Sequence, residues 1–304
     1  MTQRPFRFGL QVSGADSPDA WAEKARHAEN LGFDTILMGD HLIDGLFSPM
    51  VSLCAMADAT SRLHVGTLVL NNDFRHPALL AREAATLHYL TNGRFELGIG
   101  AGHTAAEYDE IGLVFDPASV RVERLDESVT ILRRLFDGQN LTFEGRHYRI
   151  EGHQLFPACR PRLLVGGNGD QVLRTAATHA DIIGFTGLGR TLADGHIHEP
   201  QWEWHQIDRK VALVRETAGE RLPDLEFNAL VQHIAITDDR TAAFEPVAAL
   251  TGADPDVLSA SPYLLVGSVS QIIDQLLHAR DRWGFTYFVT RDAAATGTVI
   301  DALR

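Results

Sequence analysis

The chain has 304 residues, 45% apolar and 22% charged, with a formal charge of −13 from 40 acidic side chains against 27 lysines and arginines. That balance argues against nucleic-acid binding, which rests on a basic surface, and no apolar run approaches the ~20 residues that span a bilayer. The only cysteines, Cys54 and Cys159, offer neither a disulfide framework nor metal-ligand spacing, and the N-terminus lacks the apolar core of a signal peptide, so a cytoplasmic protein is expected.

In chain order, strands are predicted near 6–12, 34–39, 64–70, 94–99, 162–166, 181–185, 226–236 and 286–290. Helices are predicted near 18–31, 49–60, 77–91, 118–137, 170–179, 201–218, 268–283 and 296–303. The runs 63–70 and 95–99 are continuously apolar, the mark of strands buried on both faces. In 118–137 the apolar residues Val122, Leu125, Val129, Leu132 and Phe136 recur at helical spacing. Ser17-Pro18, Ser48-Pro49, His76-Pro77 and Asp116-Pro117 each begin a helix: proline at the first helical position loses no hydrogen bond, and Ser or Asp before it can cap the exposed N–H groups.

Strands alternating with helices in this number predict a parallel sheet closed into a (β/α)8 TIM barrel, one domain over residues 1–304. Short insertions follow strands four, six and seven. Residues 138–161 contain LTFEGRHYRI, a hairpin turning at Glu144-Gly145. It follows a helix and precedes a strand, which assigns it to the bottom face, away from chemistry. Residues 186–201 and 237–262 follow strands and belong to the top face, the latter as small extra helices.

Barrel enzymes place their sites at the C-terminal ends of the strands. The polar residues there are Gln11 and Ser13, Asp40 and His41, Asn71, Asn72 and Asp73, His103, Thr186, Gln232 and His233, and Arg291. Gly98, Gly100 and Gly102 would let backbone approach a flat ligand closely. Such a site suits a flat heterocycle better than a metal. A histidine side chain can pass a proton to or from a substrate oxygen, which makes His41 a candidate. Asp40 could accept hydrogen bonds from ring N–H groups; the plainer reading of the pair is a helix cap or loop contact. Gly166-Gly167-Asn168-Gly169 joins a strand to a helix, where N–H groups and the helix dipole favour an anion, although a tight turn needs glycine in any case. In the stretch 194–205, His196, His198 and Glu199 raise a metal reading, but the spacing is not that of structural zinc. Trp202 and Trp204 would line the substrate pocket, or simply pack the helix that follows.

Several of these residues carry a family resemblance: Gly66–Leu70, Arg75-His76-Pro77, Leu80–Leu87, Asn92-Gly93-Arg94, Leu97–Gly102, Gly39-Asp40-His41 and Val165–Gly169. On them the chain resembles the luciferase-like monooxygenase superfamily, and within it the actinobacterial oxidoreductases that use the deazaflavin coenzyme F420. The resemblance implies a non-prolyl cis peptide near Leu68-Val69 behind the cofactor ring, with Asp40, Leu68, Val69, Asn71, Gly100 and Thr186 around the cofactor. It also implies a phosphate on Gly166, Gly167, Asn168 and Gly169, His41 at the reactive ring carbon, and substrate near Gln11. His103 departs from the family's sugar-phosphate dehydrogenases, which carry a catalytic glutamate there; a second proton donor, a cofactor contact and a helix-start residue are all open for it. The expected activity is hydride transfer between F420 and a small organic substrate, in a cytoplasmic homodimer. The alternatives are an FMN-dependent monooxygenase, a catalytically idle flavin-binding barrel, and a metal-dependent hydrolase.

Overall fold

The computed structural model describes residues 4–42, 45–191, 198–252 and 254–304. Eight parallel strands form its centre: β1 (Arg7–Val12), β2 (Thr35–Met38), β3 (His64–Thr67), β4 (Phe95–Gly100), β5 (Arg162–Gly166), β6 (Ile182–Phe185), β7 (Glu226–Leu230) and β8 (Phe285–Thr290). Each pairs with the next, and β8 returns to β1 with Arg7 opposite Tyr287, so the barrel closes. The predicted (β/α)8 barrel is therefore the observed fold.

Eight helices cover the outside: α1 (Pro18–Leu31), α2 (Pro49–Asp58), α3 (Pro77–Leu90), α4 (Ala118–Phe136), α5 (Asp170–His179), α6 (Trp204–Ala218), α7 (Val269–Trp283) and α8 (Ala293–Ala302). Two of the four proline-marked starts are capped by the preceding side chain. Ser17 accepts from the Ala20 N–H at 3.1 Å and His76 Nδ1 from the Ala78 N–H at 3.3 Å. Ser48 makes no cap bond. Pro117 is itself the cap residue of α4, and Asp116 instead accepts from Arg124 at 2.8 Å. Among the described residues no helix is long and apolar enough to cross a membrane.

The core has two layers. A large cluster fills the space between strands and helices. A smaller one, made of Leu37, Leu68, Leu164, Ile182, Leu230, Tyr287 and Val289, fills the barrel interior. Burying each such side chain contributes ~1.5–3 kcal/mol, and the inner cluster makes the barrel a packed floor under its mouth.

Three parts differ from the sequence reading. Strand three breaks after Thr67 and resumes at Leu70–Asn71, and the Leu68-Val69 peptide between the two pieces is cis, as the resemblance implied. The predicted strand 226–236 is two strands: the N–H groups of Gln232 and His233 turn to the Tyr263 carbonyl, and His233–Ile236 pairs with Leu264–Gly267 outside the barrel. The hairpin Leu141–Glu144/Arg149–His153 starts at the bottom but does not stay there. Its tip climbs α4, where the Glu127 carboxylate accepts from the N–H groups of Arg146, His147 and Tyr148 at 2.7–3.1 Å. The Tyr148 hydroxyl then reaches Asn72 at 3.3 Å, on the top rim.

Candidate active site

The mouth is built around the break in strand three. Leu68 stays fixed: its N–H donates to the Met38 carbonyl at 2.7 Å and its own carbonyl accepts from Gln11 Nε2 at 3.0 Å. Among the described residues Gln11 Oε1 is buried without a partner. Val69 rises between β4 and β5. A β-carbon on Gly100 would come within 2.8 Å of Val69 Cγ2, and one on Gly166 within 2.8 Å of Val69 Cγ1. A β-carbon on Gly98 would overlap the Thr67 carbonyl oxygen. Gly98 and Gly100 were expected to admit a flat ligand and Gly166 a phosphate; all three make room first for the protein's own strand three, and Val69 is the surface they leave at the mouth.

Asp40 takes the plainer of its two readings, a loop contact. It is buried, and both carboxylate oxygens are engaged within the protein: Oδ2 accepts from Arg75 at 2.5 Å and from the Asn71 N–H at 3.0 Å, and Oδ1 from Arg75 at 3.3 Å. It anchors the loop after strand three. Asn71 serves the same loop, its Oδ1 accepting from the Asp73 N–H at 3.1 Å and the Tyr108 hydroxyl at 3.0 Å. Outside this rim a hollow of about 400 Å³ holds Asp73, Asp116 and Arg124. Those charges are paired with one another at 2.8–2.9 Å.

The reactive groups are imidazoles. His41 follows β2 and lines a cavity of about 570 Å³ together with Gln11, Ser13, Gly39 and Arg291. His41 Nδ1 lies 2.7 Å from Oε1 of Glu107, which is buried on the short helix Ala105–Glu110. A carboxylate only accepts, so Nδ1 carries the hydrogen of this bond. Nε2 is thereby left as the atom that takes or gives a proton. The His103 ring packs edge-on to His41 with centroids 5.3 Å apart, and to His198 at 4.7 Å. Loss of water around the His103 ring, with the two neighbouring imidazoles adding to it, pushes its pKa down to about 4. His103 is therefore neutral near pH 7, which disfavours it as a second proton donor.

The glycine turn after β5 opens α5. Gly169 is the cap residue at φ −77°, and a β-carbon there would meet nothing within 4 Å. At Gly167, by contrast, a β-carbon would come within 2.8 Å of Val172 Cγ1, so this glycine serves the fit of turn to helix. Asn168 Nδ2 donates to Gln201 Oε1 at 3.0 Å, and Asn168 Oδ1 is buried without a partner. Thr186 caps the end of β6: its hydroxyl accepts from the Leu188 N–H at 3.2 Å and its carbonyl from Gln232 at 3.0 Å.

The tryptophans separate. Trp202 is buried under the mouth, where a β-carbon on Gly187 would meet it at 2.8 Å. Trp204 is on the outer surface beneath the Arg282 guanidinium, 5.0 Å from the ring centroid, so its expected place in the pocket is not observed. His196 lies outside the described residues. Among the described residues no three His, Cys, Asp or Glu side chains gather to hold a metal ion. Sequence reasoning missed Glu107 and Lys210, and it singled out Arg75 only as part of the family resemblance, without a role. Glu107 left a trace as an acid four residues after His103 in the loop that follows strand four.

A closed parallel barrel with a broken third strand and an imidazole–carboxylate pair at its mouth is the setting for the comparisons. The family model described as luciferase-like monooxygenase matches residues 4–265, and the chain belongs to that family. Among curated relatives, an F420-dependent glucose-6-phosphate dehydrogenase of Nakamurella multipartita is 35% identical over 191 residues, covering 60% of this chain and 56% of that protein. The chain thus matches little more than half the length of that relative. Among solved structures, an F420-dependent secondary alcohol dehydrogenase in complex with an F420–acetone adduct has a TM-score of 0.76 at 19% identity, covering 99% of this chain and 100% of that one. EDTA monooxygenase from Chelativorans sp. BNC1 has the same TM-score of 0.76 at 16% identity, covering 99% and 93%. The shared barrel alone does not separate the two chemistries.

Proposed function

We propose that this chain is an oxidoreductase that binds coenzyme F420 at the barrel mouth and moves a hydride between it and a small organic substrate. The observation that carries the reading is the His41–Glu107 pair at 2.7 Å, set at the cavity wall with its outer nitrogen available. Hydride transfer to a carbonyl, or from an alcohol, needs one proton moved alongside, and an imidazole held by a buried carboxylate does that at neutral pH.

The residues present fit such a cofactor. The unpartnered Gln11 Oε1 is an acceptor for ring N–H groups, Val69 supplies an apolar surface, and the Gly169 cap leaves open space at a helix N-terminus for a phosphate. When bound, the deazaflavin supplies the hydride chemistry; the protein positions it and handles the proton. The relatives named for F420 support this choice over FMN. The substrate is an alcohol, a carbonyl compound or an activated double bond, held in the cavity between His41 and Arg291.

Titration of tryptophan fluorescence with each cofactor tests the proposal. F420 is expected to bind at least tenfold more tightly than FMN, a difference of ~1.4 kcal/mol. FMN binding the tighter of the two, or F420 giving no quenching, overturns it in favour of a flavin monooxygenase.

A further inference from the structure

Among the described residues Lys210 is a buried cation without a carboxylate partner. It lies on α6 with 3% of its surface exposed, and its ammonium group donates to Gln201 Oε1. The same oxygen accepts from Asn168 Nδ2 at 3.0 Å. Lysine and glycine turn are thus joined through one atom. The acid at the start of the facing helix, Asp170, is held by both arms of Arg209 at 2.9 and 3.0 Å. A buried charge is costly unless an opposite charge meets it, and the α5 N-terminus beside it adds further positive potential. Among the described residues the ammonium group meets a neutral amide where an anion would balance it.

We propose that Lys210 is the counter-charge for a phosphate bound at the Gly167–Gly169 turn, and that Gln201 and Asn168 link the ammonium group to that turn. The inference rests on the F420 reading above and goes beyond it by assigning a residue on α6, remote from the turn in sequence. Burial pushes the Lys210 pKa down to about 8, with Arg209 adding to the effect and Asp170 opposing it. An anion at the turn favours the charged form, so binding takes up a proton around that pH. Affinity is then highest below pH 8 and falls as the pH rises through it.

The test is a fluorescence titration of the wild-type protein, Lys210→Met and Lys210→Arg with two ligands: F420, and the same deazaflavin ring and sugar-alcohol chain without the phosphate. The shared ring cancels any titration of the ring itself. Lys210→Met is expected to weaken F420 about tenfold or more while changing the phosphate-free ligand less than about twofold. Wild-type affinity for F420, relative to the phosphate-free ligand, should fall several-fold between pH 7 and pH 9.5. Lys210→Arg should retain affinity and lose that pH dependence, because a guanidinium stays charged throughout. Equal weakening of both ligands, or no weakening, overturns the proposal. Should Lys210→Met fail to fold by circular dichroism, the wild-type and Lys210→Arg pH profiles decide, and a flat wild-type profile overturns it. Failure of the wild-type protein to bind F420 at all would instead remove the functional reading itself.

Discussion

The two ends of the barrel handle charge in opposite ways. At the N-terminal end, Arg7 at the start of β1 meets Glu96 at 2.6 Å and Glu226 at 2.7 Å, and Arg162 meets Glu226 at 2.8 Å. The Arg7 guanidinium also lies 4.3 Å over the Tyr287 ring. Burial works against the Arg7 charge, but Glu96, Tyr287 and Glu226 outweigh it and hold its pKa above the ordinary value. At the C-terminal end the rim charges are paired too, Arg75 with Asp40 and Arg124 with Asp73 and Asp116, but several groups around the cavity and the glycine turn are not. Lys210 has only a neutral amide, His103 is kept uncharged, and His41 is held by Glu107 on one nitrogen alone. Paired charge fixes the bottom of the barrel, and unfinished pairing at the top is what a ligand can complete.

The largest expected effect separates the ends by function. His41→Ala should lower turnover ~10²–10⁴-fold while cofactor affinity stays within a few-fold, because the proton carrier is lost and the binding surface is not. Glu107→Gln, which keeps shape but not charge, should give a smaller loss, ~10–100-fold, mainly in kcat. Steady-state kinetics check both. Unchanged turnover in His41→Ala would make the mouth as structural as the floor. Arg7→Met is the mirror case: it leaves Glu96 and Glu226 buried with half their counter-charge and should cost ~3 kcal/mol of stability in urea unfolding. Activity per folded molecule should be unchanged, and a catalytic loss in that variant would erase the distinction between the ends.

Much of the barrel was legible in the sequence, and what was not has a common cause. The barrel strands announce themselves because a strand buried on both faces must be apolar throughout, as Phe95–Ile99 is. Proline-marked helix starts and the glycine turn after β5 are local signals and were found where expected. The partners were not local. Asp40 is matched with Arg75 thirty-five positions on, His41 with Glu107 sixty-six on, and Tyr148 with Asn72 across seventy-six. No periodicity in one sequence encodes such pairs. Glycine was misread for a related reason: that Gly100 and Gly166 accommodate Val69 is a matter of three-dimensional fit.

That fit sharpens the comparison within the mouth. Gly169→Val places its side chain in open space at a φ of −77°, which any residue adopts. It should fold normally and weaken F420 about tenfold, ~1.4 kcal/mol, by occupying the space of the phosphate. Gly167→Val meets Val172 instead, and its main loss should be in thermal stability. Binding titrations alongside circular dichroism distinguish the two, and normal F420 affinity in Gly169→Val would place the phosphate elsewhere.

The smallest effect concerns acid. The His103 pKa is about 4 in the folded protein against 6.5 as the ordinary value. Between those two pH values the unfolded chain binds a proton at this position that the folded chain does not, so stability falls as the pH drops from 6.5 and the loss levels off below about 4. His103 is an exposed residue, so solvent screening keeps the size of this loss small. His103→Asn removes the titrating group, and its urea midpoint should therefore decline less than the wild type's over the same pH range. Parallel curves for the two proteins would show that His103 is protonated in the folded state as readily as in the unfolded one, and the mouth would then carry a charged imidazole at His103 in acid.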